Sequence, residues 1–148
     1  MSTRAELPFA ITHRVRDTCL CLHVQRAARA LARQFDEALR PFGLTHGQFS
    51  LLMSLNRPQP PSLGSVAALL AMDRTTLTAN LKPLERRGLL KVTVDPDDKR
   101  GRRLMLTAAG HALLIAAVPV WKRAHAATER RLARSNPDHL RADLRALS

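Results

Sequence analysis

The chain has 148 residues, 45% of them hydrophobic, and carries 24 Lys and Arg against 12 Asp and Glu, for a formal charge of +12. That length suits one domain of ordinary size, and the charge points to a polyanionic partner, nucleic acid before an anionic membrane. No apolar run is long enough to span a bilayer, the first residues lack the apolar core of a secretion signal, and two cysteines are too few for a disulfide framework, so a cytoplasmic location and no membrane partner are expected.

The charge is unevenly placed. Between Pro41 and Met72 the only charged residue is Arg57, whereas Asp73 to Arg103 holds nine cations and five acids. Tyrosine is absent and aromatics total 3%, which leaves leucine and alanine to build the core.

Residues 1 to about 10 read as a loose arm. A long helix is predicted from about Ile11 to about Arg40. Leu20, Val24, Ala27, Ala28, Leu31, Phe35, Ala38 and Leu39 follow the helical period, and Pro41 and Gly43 end the run. Ile11, Val15 and Leu22 give its upstream part a second apolar face, which a partner subunit would cover. The next helix starts at Leu44-Thr45-His46-Gly47-Gln48, where Thr45 and Gln48 have capping-box spacing. Phe49, Leu51, Leu52 and Leu55 point it into the core. Arg57-Pro-Gln-Pro-Pro61 breaks the chain. Ser62 then caps a short helix, Leu63 to Leu70, with Leu63, Val66, Ala67 and Leu70 inward.

A three-residue turn, Ala71-Met72-Asp73, leads to the stretch that gives the chain its character. Asp73 caps a helix from Arg74 to about Arg87, and Gly88 ends it in a left-handed turn. Leu77, Leu81 and Leu84 form a narrow apolar stripe. The outer face carries Thr75, Thr78, Ala79, Lys82 and Arg86, with no acid. Short hydroxyls and methyls suit base edges in a major groove, and long cations suit phosphates. Arg74, Thr75, Thr76, Thr78 and Lys82 are therefore the candidate DNA contacts. Two short helices joined this tightly are a helix-turn-helix signature.

Beyond Gly88, Leu89 to Val94 reads as a strand, Asp95-Pro-Asp-Asp-Lys-Arg-Gly101 as a turn and Arg102 to Leu106 as a returning strand. This hairpin is a wing. Lys99, Arg100 and Arg102 at its tip suit a narrow, electronegative minor groove. Asp98 is expected to pair with Arg100 and hold its side chain in place. Thr107 caps a further long helix, from about Ala108 to Arg134, in which Pro119 should kink the axis or free a carbonyl. Asn136 and Pro137 start a last helix whose Leu140, Leu144 and Leu147 form a stripe. With little chain left to cover that stripe, a dimer interface shared with the N-terminal helix is expected.

Cys19 and Cys21 fall on the first helix. Within one intact helix their side chains point about 200° apart, so a bond between them is not expected. Cys19 shares a face with His23, and a protonated His23 would favour the thiolate. Cys21 lies on the stripe with Val24, Ala28 and Leu31, and burial as a small hydrophobe is the ordinary role for both thiols. The sequence has no Gly-x-Ser-x-Gly elbow, no His-Glu-x-x-His, no phosphate-binding glycine loop and no paired metal-ligand motif, so no enzyme, cofactor or metal is expected. A protein that coats nucleic acid without regard to sequence remains an alternative explanation of the charge.

Four motifs occur in one order: Gly43-Leu-Thr-His-Gly-Gln-Phe49, Asp73-Arg-Thr-Thr-Leu-Thr78, Leu84-Glu-Arg-Arg-Gly-Leu89 and Asp98-Lys-Arg-Gly-Arg-Arg-Leu-Met-Leu-Thr107. In that succession, over nearly the whole chain, the sequence resembles the MarR-type winged helix-turn-helix transcription regulators. The resemblance implies a mainly α fold with a small β-hairpin wing. It implies one domain, 1–148, with dimerisation helices at about 11–40 and 108–148 and a DNA-binding lobe at about 44–106. It also implies a triangular homodimer on a pseudo-palindromic double-stranded operator, usually a repressor released by a small molecule or an oxidant. Asp98 and Arg100 match the family's wing Asp and Arg. Oxidant-sensing members carry a reactive cysteine where Cys21 falls, held by tyrosines whose places here are taken by Gln25 and Phe35. The competing effector is a small aromatic anion, for which His13, Arg14, Arg16 and His46 are candidate contacts; Cys19, Cys21 and His23 are the redox candidates.

Overall fold

A computed structural model of the chain describes residues 5–148. The chain forms two compact units, one ending at Gln34 and the other starting at Phe35. No helix of the described residues is long and apolar enough to cross a membrane.

The predicted first helix is two helices, α1 (Phe9–Thr18) and α2 (Leu20–Leu39). Cys19 between them is extended, at φ −68° and ψ 110°. Asp17, Thr18 and Cys19 are three weak helix formers in succession, and the Thr18 hydroxyl donates to the Arg14 carbonyl at 2.6 Å. Such side-chain bonds compete with the helical ladder. The helical spacing of Ile11, Val15 and Leu22 runs through the break unchanged, which is why it concealed it. A 3-10 turn, Arg40–Phe42, follows, and Gly43 closes it in the left-handed region at φ 63°.

The second unit follows the predicted order closely. Helix α3 (His46–Ser54) starts with both halves of the Thr45/Gln48 capping box in place. Helix α4 (Leu63–Leu69) is capped by Ser62, whose hydroxyl accepts from the Ser65 N–H. Helix α5 (Arg74–Arg86) has Asp73 as its cap and buries Leu77, Leu81 and Leu84. Strands β1 (Leu90–Val94) and β2 (Arg102–Leu106) pair antiparallel, with Val92 opposite Leu104. Helix α6 (Ala108–Arg130) runs on through Pro119 and ends about one turn earlier than expected; α7 (Pro137–Ala146) starts at the Asn136 cap. Leu39, Leu44, Leu52, Val66, Leu77, Leu84, Leu90 and Leu104 form a core supplied almost wholly by leucine.

The stretch expected only to break the chain also serves the sheet. The Pro61 carbonyl accepts from the Leu104 N–H at 3.0 Å, and Ser62 bridges to Arg103. A proline can accept but not donate, so it fits a sheet edge where only its carbonyl is needed.

The turn between α4 and α5 holds Ala71 at φ 50°, the left-handed region usually given to glycine. An L-residue costs roughly 1–2 kcal/mol there, and glycine loses roughly 0.5–1 kcal/mol of extra chain entropy on folding. Ala71→Gly is therefore expected to stabilise by about 0.5–1 kcal/mol, raising the midpoint of thermal unfolding by roughly 2–3 °C. A melt followed by circular dichroism reads the shift; a lowered midpoint would contradict the strain.

The apolar stripes of the terminal helices are not covered. Among the described residues α1 and α7 bury none and α2 buries only Leu39. Leu20 is 69% exposed and Leu147 65%. Cys21, expected on a buried stripe, is exposed, and Cys19 is half-buried.

Candidate nucleic-acid interface

Helix α5 turns its two faces to different tasks. Its leucines seat it on the core, and Arg74, Thr75, Thr78, Ala79 and Lys82 line one shallow, open surface on the other side. Asp73 fixes the start: Oδ1 accepts from the Thr76 N–H at 2.7 Å and Oδ2 from the Thr76 hydroxyl at 2.8 Å. Those bonds, the backbone one foremost, hold the Asp73 carboxyl below the usual carboxylate range.

The three predicted threonine contacts are thereby separated. Thr76 spends its hydroxyl proton on the cap. Thr78 donates to the Arg74 carbonyl at 2.8 Å, which leaves its exposed hydroxyl only an acceptor's role toward a base. Thr75 makes no side-chain bond within the described residues and is the hydroxyl most available to a base. Lys82 is exposed one turn further on, and Pro83 does not interrupt α5 before Arg86.

The wing is ordered differently from the expectation. Asp98 does not pair with the Arg100 guanidinium; its Oδ1 accepts from the Arg100 backbone N–H at 3.0 Å. The ion pair that braces the hairpin joins Asp95 Oδ2 to Arg103 Nε at 3.0 Å, with Asp95 only 8% exposed. Asp95 Oδ1 also accepts from the Asp97 N–H. Two of the three acids of this turn are thus consumed by the turn itself, because their carboxylates sit next to backbone donors. Arg102 folds back and donates to the Gly101 and Lys99 carbonyls. Lys99 and Arg100 remain exposed, with no side-chain partner among the described residues.

Bonds between distant residues set the wing against α5 and α6. Glu85 accepts from the Val92 N–H at 3.0 Å. The Thr107 hydroxyl accepts from the Gly110 N–H, capping α6, and donates to the Gly88 carbonyl at 2.6 Å, closing the end of α5. Arg87 reaches back to the Gly43 and Phe42 carbonyls. Thr107 and Gly88 are legible as helix ends, but nothing in the sequence pairs any of these residues with its distant partner.

The effector candidates His13, Arg16, Cys19, Cys21 and His23 all lie in the first unit, on α1, α2 and the residue between them. Arg16 is bound through two bonds to Asp17, which raises the Arg16 pKa and lowers that of Asp17. His13 packs its ring on Phe9 at 4.4 Å. His23 places Nδ1 2.7 Å from the Cys19 carbonyl oxygen, so the predicted thiol–imidazole pair is replaced by a side-chain bond to the backbone. Gln25 Nε2 donates to Cys21 Sγ at 3.3 Å. In the second unit His46 is fixed to Asp36 through its backbone N–H and Nδ1, and those bonds lower the Asp36 pKa.

A helix-turn-helix whose open surface from Arg74 to Lys82 carries no acid, followed at once by a hairpin with free cations at its tip, is a winged helix-turn-helix lobe, a DNA-binding class of fold. The chain belongs to the MarR family of DNA-binding transcriptional regulators. The MarR family model matches residues 44–101. The M. tuberculosis regulator MosR, solved in complex with DNA, is 38% identical; the match covers 88% of this chain and 93% of that one, with a TM-score of 0.79. The repressor CouR, solved on a 23-mer DNA duplex, is 30% identical over 97% of this chain and 99% of that one, with a TM-score of 0.77. The HTH-type regulator TtmR of Methylorubrum extorquens is 33% identical over 97 residues, 66% of this chain and 50% of TtmR. The matches span about half to three fifths of the length of the curated relatives.

Proposed function

We propose that this chain is a homodimeric regulator that binds a pseudo-palindromic double-stranded operator. Residues 44–106 form its DNA-binding lobe, and 11–40 and 108–148 its dimerisation helices. The observation that carries the reading is the outer face of α5, with Thr75, Thr78 and Lys82 outward, beside a wing in which Asp95 and Asp98 are occupied and the Lys99 and Arg100 side chains are not. Phosphate contacts supply affinity that falls with salt; the threonines supply sequence choice. The uncovered apolar groups on α1, α2 and α7, among them Phe9, Val15, Leu20, Leu144 and Leu147, support a second copy as the cover. Repression is the mode that the likeness to CouR favours, CouR being named a repressor.

Selection of bound duplexes from random sequence tests the reading, with sedimentation of the same material. An inverted repeat with half-sites about 10 bp apart or a multiple, bound by a dimer, is the expected result. Unselective binding would favour the coating protein, and a monomer at micromolar concentration would remove the dimer. On the selected site, Thr75→Val should cost about 1 kcal/mol and leave affinity for random DNA unchanged. Equal losses on both would assign Thr75 to the backbone instead.

For release from DNA, the redox reading has a specific observation in its favour. Cys21 is exposed, within reach of an oxidant, and its Sγ accepts from Gln25 Nε2. The helix break at Cys19 also removes the premise of the argument against pairing Cys19 with Cys21, which required an unbroken helix. An aromatic anion finds Arg16 and His46 already paired with acids. Organic hydroperoxide is expected to release the operator from the wild type and to spare Cys21→Ala. Release that persists in the variant would remove Cys21 from the role, and no release from the wild type would return the aromatic acids to first place, testable by thermal shift.

A further inference from the structure

We propose that Gly64 is a positioning residue for DNA binding: by lacking a side chain it seats the Arg74 guanidinium against the first turn of α4, where Arg74 meets a phosphate rather than a base edge. The proposal rests on the DNA-binding reading above and assigns a task within that site.

Gly64 is the second residue of α4, inside a regular helix. Its backbone is not among the left-handed positions, which are Gly43, Ala71 and Gly88. Alanine would be the better helix former at such a place. A Cβ built on Gly64 would lie 2.8 Å from Arg74 Nη2, 3.5 Å from Cζ and 3.9 Å from Nε, and these three are its nearest neighbours. What the missing methyl makes room for is thus the guanidinium of Arg74. No backbone atom would be met first.

Arg74 is in turn the first residue of α5 and shares the open surface with Thr75, Thr78 and Lys82. It is exposed, and no side-chain hydrogen bond or ion pair engages it among the described residues. The adjacent acid, Asp73, has both oxygens on Thr76. An exposed guanidinium lying over Gly64, beside the hydroxyls and without a counter-ion, is a planar donor fork awaiting an anion. The Arg74 guanidinium lies by Gly64 of α4, at the N-terminal end of α5. The duplex presents its phosphates at the rim of the groove and its bases at the centre.

The test compares wild type, Gly64→Ala, Gly64→Leu, Arg74→Ala and the double variant Gly64→Ala/Arg74→Ala in the full chain. Thermal unfolding and binding to the selected duplex and to random duplex are measured over a salt series. Gly64→Ala should melt at or above the wild-type temperature, because displacing a flexible side-chain tip is cheap. Its affinity should fall about threefold on both duplexes, and Gly64→Leu should approach the roughly tenfold loss of Arg74→Ala, the size of one charged contact. Arg74→Ala should also flatten the salt slope by about 0.9, as one lost phosphate contact does. In the double variant the glycine change should add nothing. Wild-type affinity in both Gly64 variants, or an undiminished Gly64→Ala loss without Arg74, overturns the positioning role alone. A wild-type chain that binds no duplex overturns it together with the DNA-binding reading.

Discussion

Gly110→Ala is expected to lose about 3 kcal/mol of folding stability, at the upper end of what an inserted methyl costs in a packed region. The Cβ would fall 2.1 Å from the Leu89 carbonyl oxygen, 2.8 Å from Leu106 Cδ1 and 3.1 Å from the Leu89 carbonyl carbon. Leu106 could move aside, but the Leu89 carbonyl cannot. It accepts the Thr107 N–H at 3.2 Å, next to the Thr107 hydroxyl that caps α6 and closes α5 on Gly88. The base of the wing thus approaches α6 too closely at Gly110 to admit even one methyl. The midpoint of thermal unfolding should drop by roughly 10 °C, compared at equal protein concentration because a dimer's midpoint depends on it. Gly47→Ala is the control. A Cβ there meets only Thr45 Oγ1, at 4.0 Å, so the change should be neutral or stabilise by about 0.5–1 kcal/mol. Similar midpoints for the two variants would mean that α6 and the wing do not approach as described.

Arg100→Ala should weaken DNA binding about tenfold at low salt, close to the lower bound for a hydrogen bond to a charged group, and flatten the salt slope by about 0.9. The loss should be alike on selected and random duplexes if the wing meets phosphate or an electronegative groove rather than particular bases. The companion variants separate the observed wing from the predicted one. An Asp98–Arg100 ion pair would make Asp98→Asn nearly as damaging as Asp98→Ala. The observed bond runs from the Arg100 N–H to Asp98 Oδ1, and asparagine keeps that acceptor. Asp98→Asn should therefore bind within about twofold of wild type, while Asp98→Ala loses more as the turn loosens. Fluorescence anisotropy over a salt series reads all three. An unchanged Arg100→Ala would remove the wing from the interface.

The correction at Asp98 shows where reading a hairpin from its sequence stops. Charge and spacing identified an acid that orders the tip; they could not say whether it grips a side chain or a backbone N–H. That depends on the path of the turn, in which Gly101 N donates to the Asp98 carbonyl and Asp95 N to the Gly101 carbonyl. The N-terminal helix shows a second limit. The helical spacing of Ile11, Val15 and Leu22 is intact across Cys19, yet the weak helix formers at 17–19 and the Thr18 hydroxyl break the helix there. Periodicity reports which face is apolar, not whether the backbone is continuous or what covers the face.

The sequence alone determined the order of elements, the caps at Thr45, Ser62, Asp73, Thr107 and Asn136, the buried leucines of α5 and the hairpin behind it. Each is governed by residues within about one helical turn or one strand pair, so local spacing carries the information. Only the tertiary structure decided that Arg87 ties down the Phe42–Gly43 carbonyls, that Thr107 joins α5 to α6, that Gly110 admits the Leu89 backbone and that Gly64 leaves room for Arg74. Those partners lie from 10 to 45 positions apart, and nothing in a residue's type names a distant partner before the core leucines bring the two backbones together.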